Sequence, residues 1–577
     1  MATIAQPNFS RRFKVVAEEK ATGATYTPPI LADFVAEKIV DFARLKGKTR
    51  IRVLDPAIGD GELLLSLLRR LENVTQATID VFGFETDELA LCNARRRLLA
   101  EFPGAGLHLE LKSFLEFVLD HGGISAARTL FALTTSEPFD LIIANPPYVR
   151  TQIMGAGQAQ ELADAFGLSG RIDLYHAFLI AMAEVLRSDG TAGMIVSNRF
   201  MTTRGGADIR AALRSRFTLR HIWDLGDTKI FPAAVLPAVI LADGRGENDS
   251  SAPAFSSIYE TEDSATSKAA NPIDSLALSG NIAIADGRCF QVQHGSLDSS
   301  GPANDIWRIA TDKGDAWLAT VAAHAWGTFR NAGKIRVGVK TCADKVFIRC
   351  DWNEMGDNER PELLRPVTTH HVAGRFRAIP QQDKRSILYP HETVHDRRRA
   401  VNLARYPKTL AYLEKHRAAL EARTYLMESG RKWYELWVPQ EPGHWAAPKL
   451  VFKDISERPA FWVDLDGTIV NGDCYWMTCD KPDLLWLAAA VANSTFAEAF
   501  YDRRFNNKLY AGRRRFITQY VELFPLPNPQ SALAREIVAT ARATYEKANS
   551  PEGNALEEKL DRMVWESLGL RFEEIAR

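Results

Sequence analysis

Apolar and polar positions alternate along this chain in two regimes. From about residue 30 to 242, short and nearly continuous apolar runs alternate with longer stretches in which apolar residues recur every three or four positions. The first kind predicts strands buried on both faces, and the second predicts helices packed against them. Strands are expected at 51–55, 79–84, within 107–117, and at 139–144, 192–196, 219–225 and 238–242. Helices are expected at 30–42, with Thr27 as a cap, at 62–68, from 173 to near 187, and at about 207–216. Ser188-Asp189-Gly190 reads as the turn between a helix and a strand. This order predicts an α/β fold with a doubly wound, mostly parallel sheet. Residues 243–275 are rich in Ser, Ala and Asp and read as linker with one short strand inside. Beyond about 320 the pattern changes to short strands, isolated helices and many aromatics, ending in a helical tail. The expected division is therefore 1–245, a connector at 246–320, and a mixed α+β domain at 321–577.

Composition adds little until charge is mapped along the chain. With 577 residues, 46% hydrophobic and 25% charged, the chain fits a soluble protein of two or three domains. The amino terminus lacks an apolar signal core, and the longest apolar run, 484–492, is too short to span a bilayer. A cytoplasmic location without a membrane partner is expected. The six cysteines form no C-x-x-C pair and read as reduced and structural. The net charge of −1 does not suggest a nucleic-acid partner, but residues 330–515 hold 32 Lys and Arg against 23 Asp and Glu. Arg397-Arg398-Arg399 and Arg513-Arg514-Arg515 lie there. The excess suggests a phosphate-facing half, with a solvated surface the alternative for either cluster.

The strand at 139–144 ends abruptly in Asn145-Pro146-Pro147-Tyr148. Two prolines neither continue a ladder nor enter a helix interior, so the chain leaves the sheet in a stiff, extended shape. That exit presents the Asn145 amide, the Pro146 carbonyl and the Tyr148 ring at a carboxyl strand end, where open α/β sheets bind ligands. The two oxygens can accept from one exocyclic amine while the ring holds a flat base. Upstream, the strand at 51–55 ends in Asp55 and runs into Pro56-Ala57-Ile58-Gly59-Asp60-Gly61. Its glycines permit close backbone approach, and the following helix offers free N–H groups. The loop opens on an acid and has no Gly-x-Gly-x-x-Gly, so it gives no sign of pyrophosphate binding. The next strand ends in Glu85, where a carboxylate can grip ribose hydroxyls.

The ordered set of Tyr26-Thr27-Pro28, the Gly-rich loop, Glu85, Asn145 to Tyr148, Asp173-Leu174-Tyr175 and Phe231-Pro232 resembles the gamma-class, Taq-type DNA adenine-N6 methyltransferases. The resemblance is dense over residues 24–242. It implies S-adenosylmethionine as cofactor, held by Tyr26, Thr27, Asp55, Ala57, Gly59, Glu85, Ser113, Phe114 and Asn145. The family's usual acid after the third strand is missing from Leu111-Lys112-Ser113-Phe114. The resemblance also implies that Asn145 and Pro146, followed by Pro147, accept from the amine of a flipped adenine, with Tyr148 and Phe231 on its two faces. Residues 321–577 resemble, more loosely, the family's target-recognition domain. Arg431, Lys432, Trp433, Tyr434, Lys508, Arg513, Arg514 and Arg515 are the candidate contacts to double-stranded DNA; for Trp433 and Tyr434 a core role stays open. The implied enzyme is a monomer that either stands alone or modifies DNA for a separate cognate restriction endonuclease, since only about twenty residues precede Tyr26. Protein glutamine methylation, RNA methylation and a non-catalytic DNA-binding module are the competing readings. No metal site is expected.

Overall fold

The computed structural model describes residues 26–120, 137–148, 156–168, 173–231, 236–246, 252–299, 301, 305–382, 384–395, 397–505, 509 and 512–572. The chain divides into two compact units, Met1–Thr311 with Lys508–Gly512, and Asp312–Asn507 with Arg513–Arg577.

In the first unit, helix α1 (Pro29–Phe42) begins at a proline, whose missing N–H costs nothing in a first turn. Leu31, Ala32, Val35, Ala36 and Ile39 are buried, the stripe that a 3.6-residue repeat lays along one face. Then follow β1 (Arg50–Asp55), α2 (Glu62–Glu72), β2 (Thr78–Glu85), α3 (Glu88–Glu101), β3 (Gly106–Leu111), α4 (Phe114–Asp120) and β4 (Phe139–Ala144). Beyond it come α5 (Ala156–Phe166), α6 (Leu174–Val185), β5 (Leu186–Ser197), α7 (Ala207–Arg216), β6 (Phe217–Asp224) and β7 (Pro237–Gly244). β1, β2, β3, β4 and β5 pair in parallel, and β7 enters antiparallel between β5 and β6.

Strand periodicity sorts the core into two layers. Ile51 and Val53 of β1, with Leu141 and Ile143 of β4, face one way and meet Leu31, Val35 and Leu64. Leu54, Ile142 and Ala144 face the other way and meet Phe114, Phe178 and Met182. Alternation of side chains across a pleated strand produces that split. Each fully buried Leu or Ile contributes about 1.5–3 kcal/mol to holding it. The strand order 3-2-1-4-5 reverses direction between β1 and β4, which places the loops following those two strands at the switch point of the sheet.

Two expectations need correction. Ser188-Asp189-Gly190 is no turn between elements: β5 already runs from Leu186, and its register against β4 shifts between Phe139 and Leu141. A Cβ on Gly190 would lie 2.8 Å from the Asp140 carbonyl oxygen, so glycine is needed there for close strand approach. The second correction concerns 246–320. Its described residues carry β8 (Ala254–Glu260), β9 (Ser267–Lys268), the short α8 (Pro272–Ser275), β10 (Gly280–Ala283), β11 (Cys289–Asp298) and β12 (Arg308–Ala310). β8 pairs in parallel with β6, and the rest extend the same sheet to twelve strands. The polar composition hid a buried set of Phe255, Ile258, Phe290 and Val292, and without β8 the edge of β6 would be bare.

The second unit contains a four-stranded antiparallel sheet, ordered Gly333–Val337, Cys474–Cys479, Lys449–Lys453, Phe461–Asp464. A second four-stranded sheet and separate two-stranded ribbons accompany it. Helix Pro482–Ala492 is apolar all round and buried along nearly its whole length, as the period of a fully enclosed helix requires. Helices Ala532–Glu546 and Pro551–Ser567 close the described chain. Among the described residues no helix is long and apolar enough to cross a membrane, and no group of three His, Cys, Asp or Glu stands together as metal ligands do.

Candidate active site

The carboxyl ends of β1, β2, β3 and β4 meet around a cavity of about 570 Å³. Its wall includes Tyr26, Ala57, Gly59, Glu85, Ser113, Phe114 and the run from Asn145 to Tyr148. Parallel strands end on the same edge, so residues far apart in sequence converge there.

Two carboxylates shape the loop after β1. Asp55 accepts the Ala57 N–H through Oδ1 at 3.0 Å. Glu85 accepts the Gly59 N–H through Oε2 at 3.0 Å, and the Thr86 and Asp87 N–H groups through Oε1 at 2.7 and 2.9 Å. Gly59 and Gly61 sit at φ +53° and +85°, where a side chain would strain the backbone. At Gly61 it would also press on Ala94 of α3, 3.2 Å away. Asp55 is wholly buried, and its Oδ2 has no hydrogen-bond partner among the described residues. Burial raises its pKa to about 8; the Ala57 N–H opposes that rise, and the charges of Glu85 and Asp60 add to it. Asp55 itself is not among the residues lining the cavity, which its neighbours Pro56 and Ala57 reach; its buried Oδ2 is an unmet hydrogen-bonding group just behind the wall.

Asn145 is held from both sides. Its Nδ2 donates to Thr27 Oγ1 at 3.0 Å, and its Oδ1 accepts from the Tyr148 hydroxyl at 3.1 Å. The first bond ties the segment before α1 to the exit of β4 across 118 positions. It also corrects the capping expectation: Pro28 is the cap residue of α1, with no side-chain cap bond, and the Thr27 hydroxyl orients Asn145 instead. The Tyr148 ring is part-buried against the Phe178 layer, with the buried Tyr175 ring 6.0 Å away. Burial pushes the Tyr148 phenol well above its ordinary pKa, so it stays a hydrogen-bond donor.

Several expected residues lie elsewhere. Phe231 is 4% exposed and belongs to the apolar layer with Leu225, Val239 and Ile258, on the sheet face opposite the one Tyr148 packs against. Core burial claims the ring, and it is not among the residues lining the cavity. Pro232 lies outside the described residues, as does Lys508. Arg431 donates to the Leu436 and Trp437 carbonyls at 3.1 and 2.5 Å. Tyr434 is buried and its hydroxyl donates to the Val401 carbonyl at 2.7 Å. Trp433 packs at the edge of the same core, with the Arg417 guanidinium over its ring. Arg514 grips Asp502 with two bonds of 2.8 Å, and Arg515 grips Asp454 at 3.1 and 3.2 Å. These two guanidinium groups are spent on internal carboxylates; Lys432 and Arg513 remain exposed. Conversely, the cavity wall includes Asp87, Glu116, Leu162 and Phe178, which sequence reasoning did not single out, beside Lys112 of the stretch that lacks the acid. Asp87 had a signal: it precedes a helical run and caps α3, accepting from the Leu89 and Ala90 N–H groups.

The Eco57I restriction-modification methylase family matches residues 80–231. Over 577 residues the chain is 36% identical to the type II methyltransferase M.BanIII of Aneurinibacillus aneurinilyticus, covering 96% of this chain and 98% of that one. With the type II methyltransferase M.XhoI of Xanthomonas vasicola it shares 26% identity over 556 residues, covering 91% and 96%. Among solved structures it is similar in fold to the type IIL restriction-modification enzyme MmeI in complex with DNA, with a TM-score of 0.60 at 16% identity over 95% of this chain and 74% of that chain.

Proposed function

We propose, from the premise that the chain belongs to the type II restriction-modification DNA methyltransferases, that it methylates the N6 amine of an adenine turned out of duplex DNA, using S-adenosylmethionine. The observation that carries this reading is Asn145, held between Thr27 and Tyr148 at the wall of the cavity.

The residues fit the cofactor. The partnerless, buried Asp55 Oδ2 suits its cationic amino-acid end. Glu85 suits the ribose hydroxyls, and the Phe114 ring suits the adenine face. Ser113, beside Phe114 on the wall, takes the place of the missing acid. When bound, the cofactor supplies an electrophilic methyl group on a sulfonium.

The chain's own contribution is positioning and electrostatics. An adenine N6 lone pair is delocalised into the ring and nucleophilically weak. Asn145 Oδ1 and the Pro146 carbonyl accept its two N–H bonds, which draws the nitrogen toward a tetrahedral shape and localises the pair. The Tyr148 hydroxyl now at Asn145 Oδ1 gives way to the amine, and its ring stacks on the base. Extruding the base costs a few kcal/mol, which one stacked aromatic contributing about 1–3 kcal/mol partly offsets. The second half, residues 321–577, is assigned to reading the target sequence.

Transfer of radiolabel from S-adenosylmethionine to duplex DNA, RNA and release factor, measured side by side, tests this. Label in duplex DNA alone is expected. Label in RNA or protein with none in DNA refutes it.

A further inference from the structure

The ribbon formed by His391–Val394 and Arg397–Ala400 is antiparallel, pairing Val394 with Arg397, Thr393 with Arg398, Glu392 with Arg399 and His391 with Ala400. Among the described residues it joins no larger sheet, and His395, just past its first strand, sits at φ +49°. An isolated hairpin is marginal in water, yet this one is rooted. His391 is buried, and its Nε2 accepts the Leu436 N–H at 3.1 Å. One residue past the ribbon, the Val401 carbonyl takes the Tyr434 hydroxyl. The segment from Arg431 to Trp437 thus serves as the foot of the ribbon.

The three arginines at its outer end are all exposed. Arg398 meets Glu441 at 3.3 Å; Arg397 and Arg399 have no ion pair among the described residues. Charge counting ranked this cluster level with Arg513 to Arg515, but Arg514 and Arg515 are consumed internally. Arg398 is neutralised by Glu441, and Glu392 stands across the ribbon from Arg399 as the one acid in register with the other two. An external anion would balance the cationic charge that remains on Arg397 and Arg399. Alternation puts Arg397 and Arg399 on one face, two residues or about 6.7 Å apart. Base pairs rise about 3.4 Å each, so the pair spans two steps. The major groove, about 12 Å wide, admits a two-stranded ribbon.

We propose that this ribbon enters the major groove of the substrate duplex, with Arg397 and Arg399 facing it. The inference rests on duplex DNA being the substrate. It is tested on the full chain by fluorescence anisotropy with a random-sequence duplex over a range of salt. Arg397→Ser with Arg399→Ser should make the slope of log K against log salt shallower by about 2, close to one for each lost phosphate-type contact. Arg96→Ser with Arg535→Ser removes the same charge from exposed positions on other helices and should leave the slope unchanged. Arg397→Lys with Arg399→Lys should restore it. A duplex with glucosylated hydroxymethylcytosine, which fills the major groove, should bind the wild type no better than it binds the Ser variant. An unchanged slope in the Ser variant, an equal loss in the control, or full wild-type affinity for the glucosylated duplex overturns the proposal. If the wild type shows no salt-dependent duplex binding at all, DNA as substrate is what fails.

Discussion

Cofactor binding should expel a proton from Asp55. The carboxyl is buried, holds a pKa of about 8, and keeps one oxygen without a donor. At pH 6 the carboxyl is therefore almost wholly protonated, and ionising it costs a few kcal/mol. A cationic ligand at Oδ2 needs the charged form. S-adenosylmethionine affinity should therefore rise about tenfold per pH unit between pH 5.5 and 7.5, with about one proton released per molecule bound. Calorimetry in two buffers of different ionisation enthalpy counts that proton. The sign for folding is opposite: between pH 3.8 and 8 the folded chain holds a proton that the unfolded chain has lost, so this group lowers the stability of the cofactor-free protein as pH rises. Asp55→Asn should flatten both profiles. A proton count near zero, or an unchanged slope in the Asn variant, would refute the placement of the cation at Asp55.

Asn145→Ala should cut single-turnover methyl transfer by about 10²–10³-fold, the loss expected for one positioned polar group, while duplex affinity in a binding titration stays close to wild type. Phe231→Ala should lower stability by about 3 kcal/mol in urea titration and leave transfer per folded molecule unchanged; the reverse pattern would put the ring back at the base. A fragment ending at residue 311 should give a cooperative melting transition. One ending at 245 should not, because it bares the β6 edge and removes Tyr259, whose hydroxyl donates to the buried Asp224 at 2.7 Å.

The doubly wound sheet was legible because buried parallel strands are written as continuous apolar runs, such as Leu141 to Ala144. The strand ends that lead to the cavity were legible for a related reason: Pro146 and Pro147 mark where β4 must stop, and Asp55 and Glu85 are acids closing apolar strands. Phe231 misled because a ring beside a proline looks the same whether it caps a ligand or fills a core. Its burial is decided by Leu225 and Ile258, which the fold brings to it. The strands after 252 were hidden by small polar residues, since Ser256 and Ser257 are buried in β8 by pairing and layer contacts that no composition shows. Arginine clusters are likewise mute about their partners. Asp502 and Asp454 neutralise Arg514 and Arg515 only once the chain has folded.

The central claim, that the Asn145 cradle methylates adenine in DNA, is tested most directly by the product. Plasmid DNA is incubated with the full chain and methyl-labelled S-adenosylmethionine, digested to nucleosides and analysed by mass spectrometry. The account predicts labelled N6-methyladenine, lost with Asn145→Ala. Label in a cytosine derivative, or N6-methyladenine made equally well by the Ala variant, would contradict it.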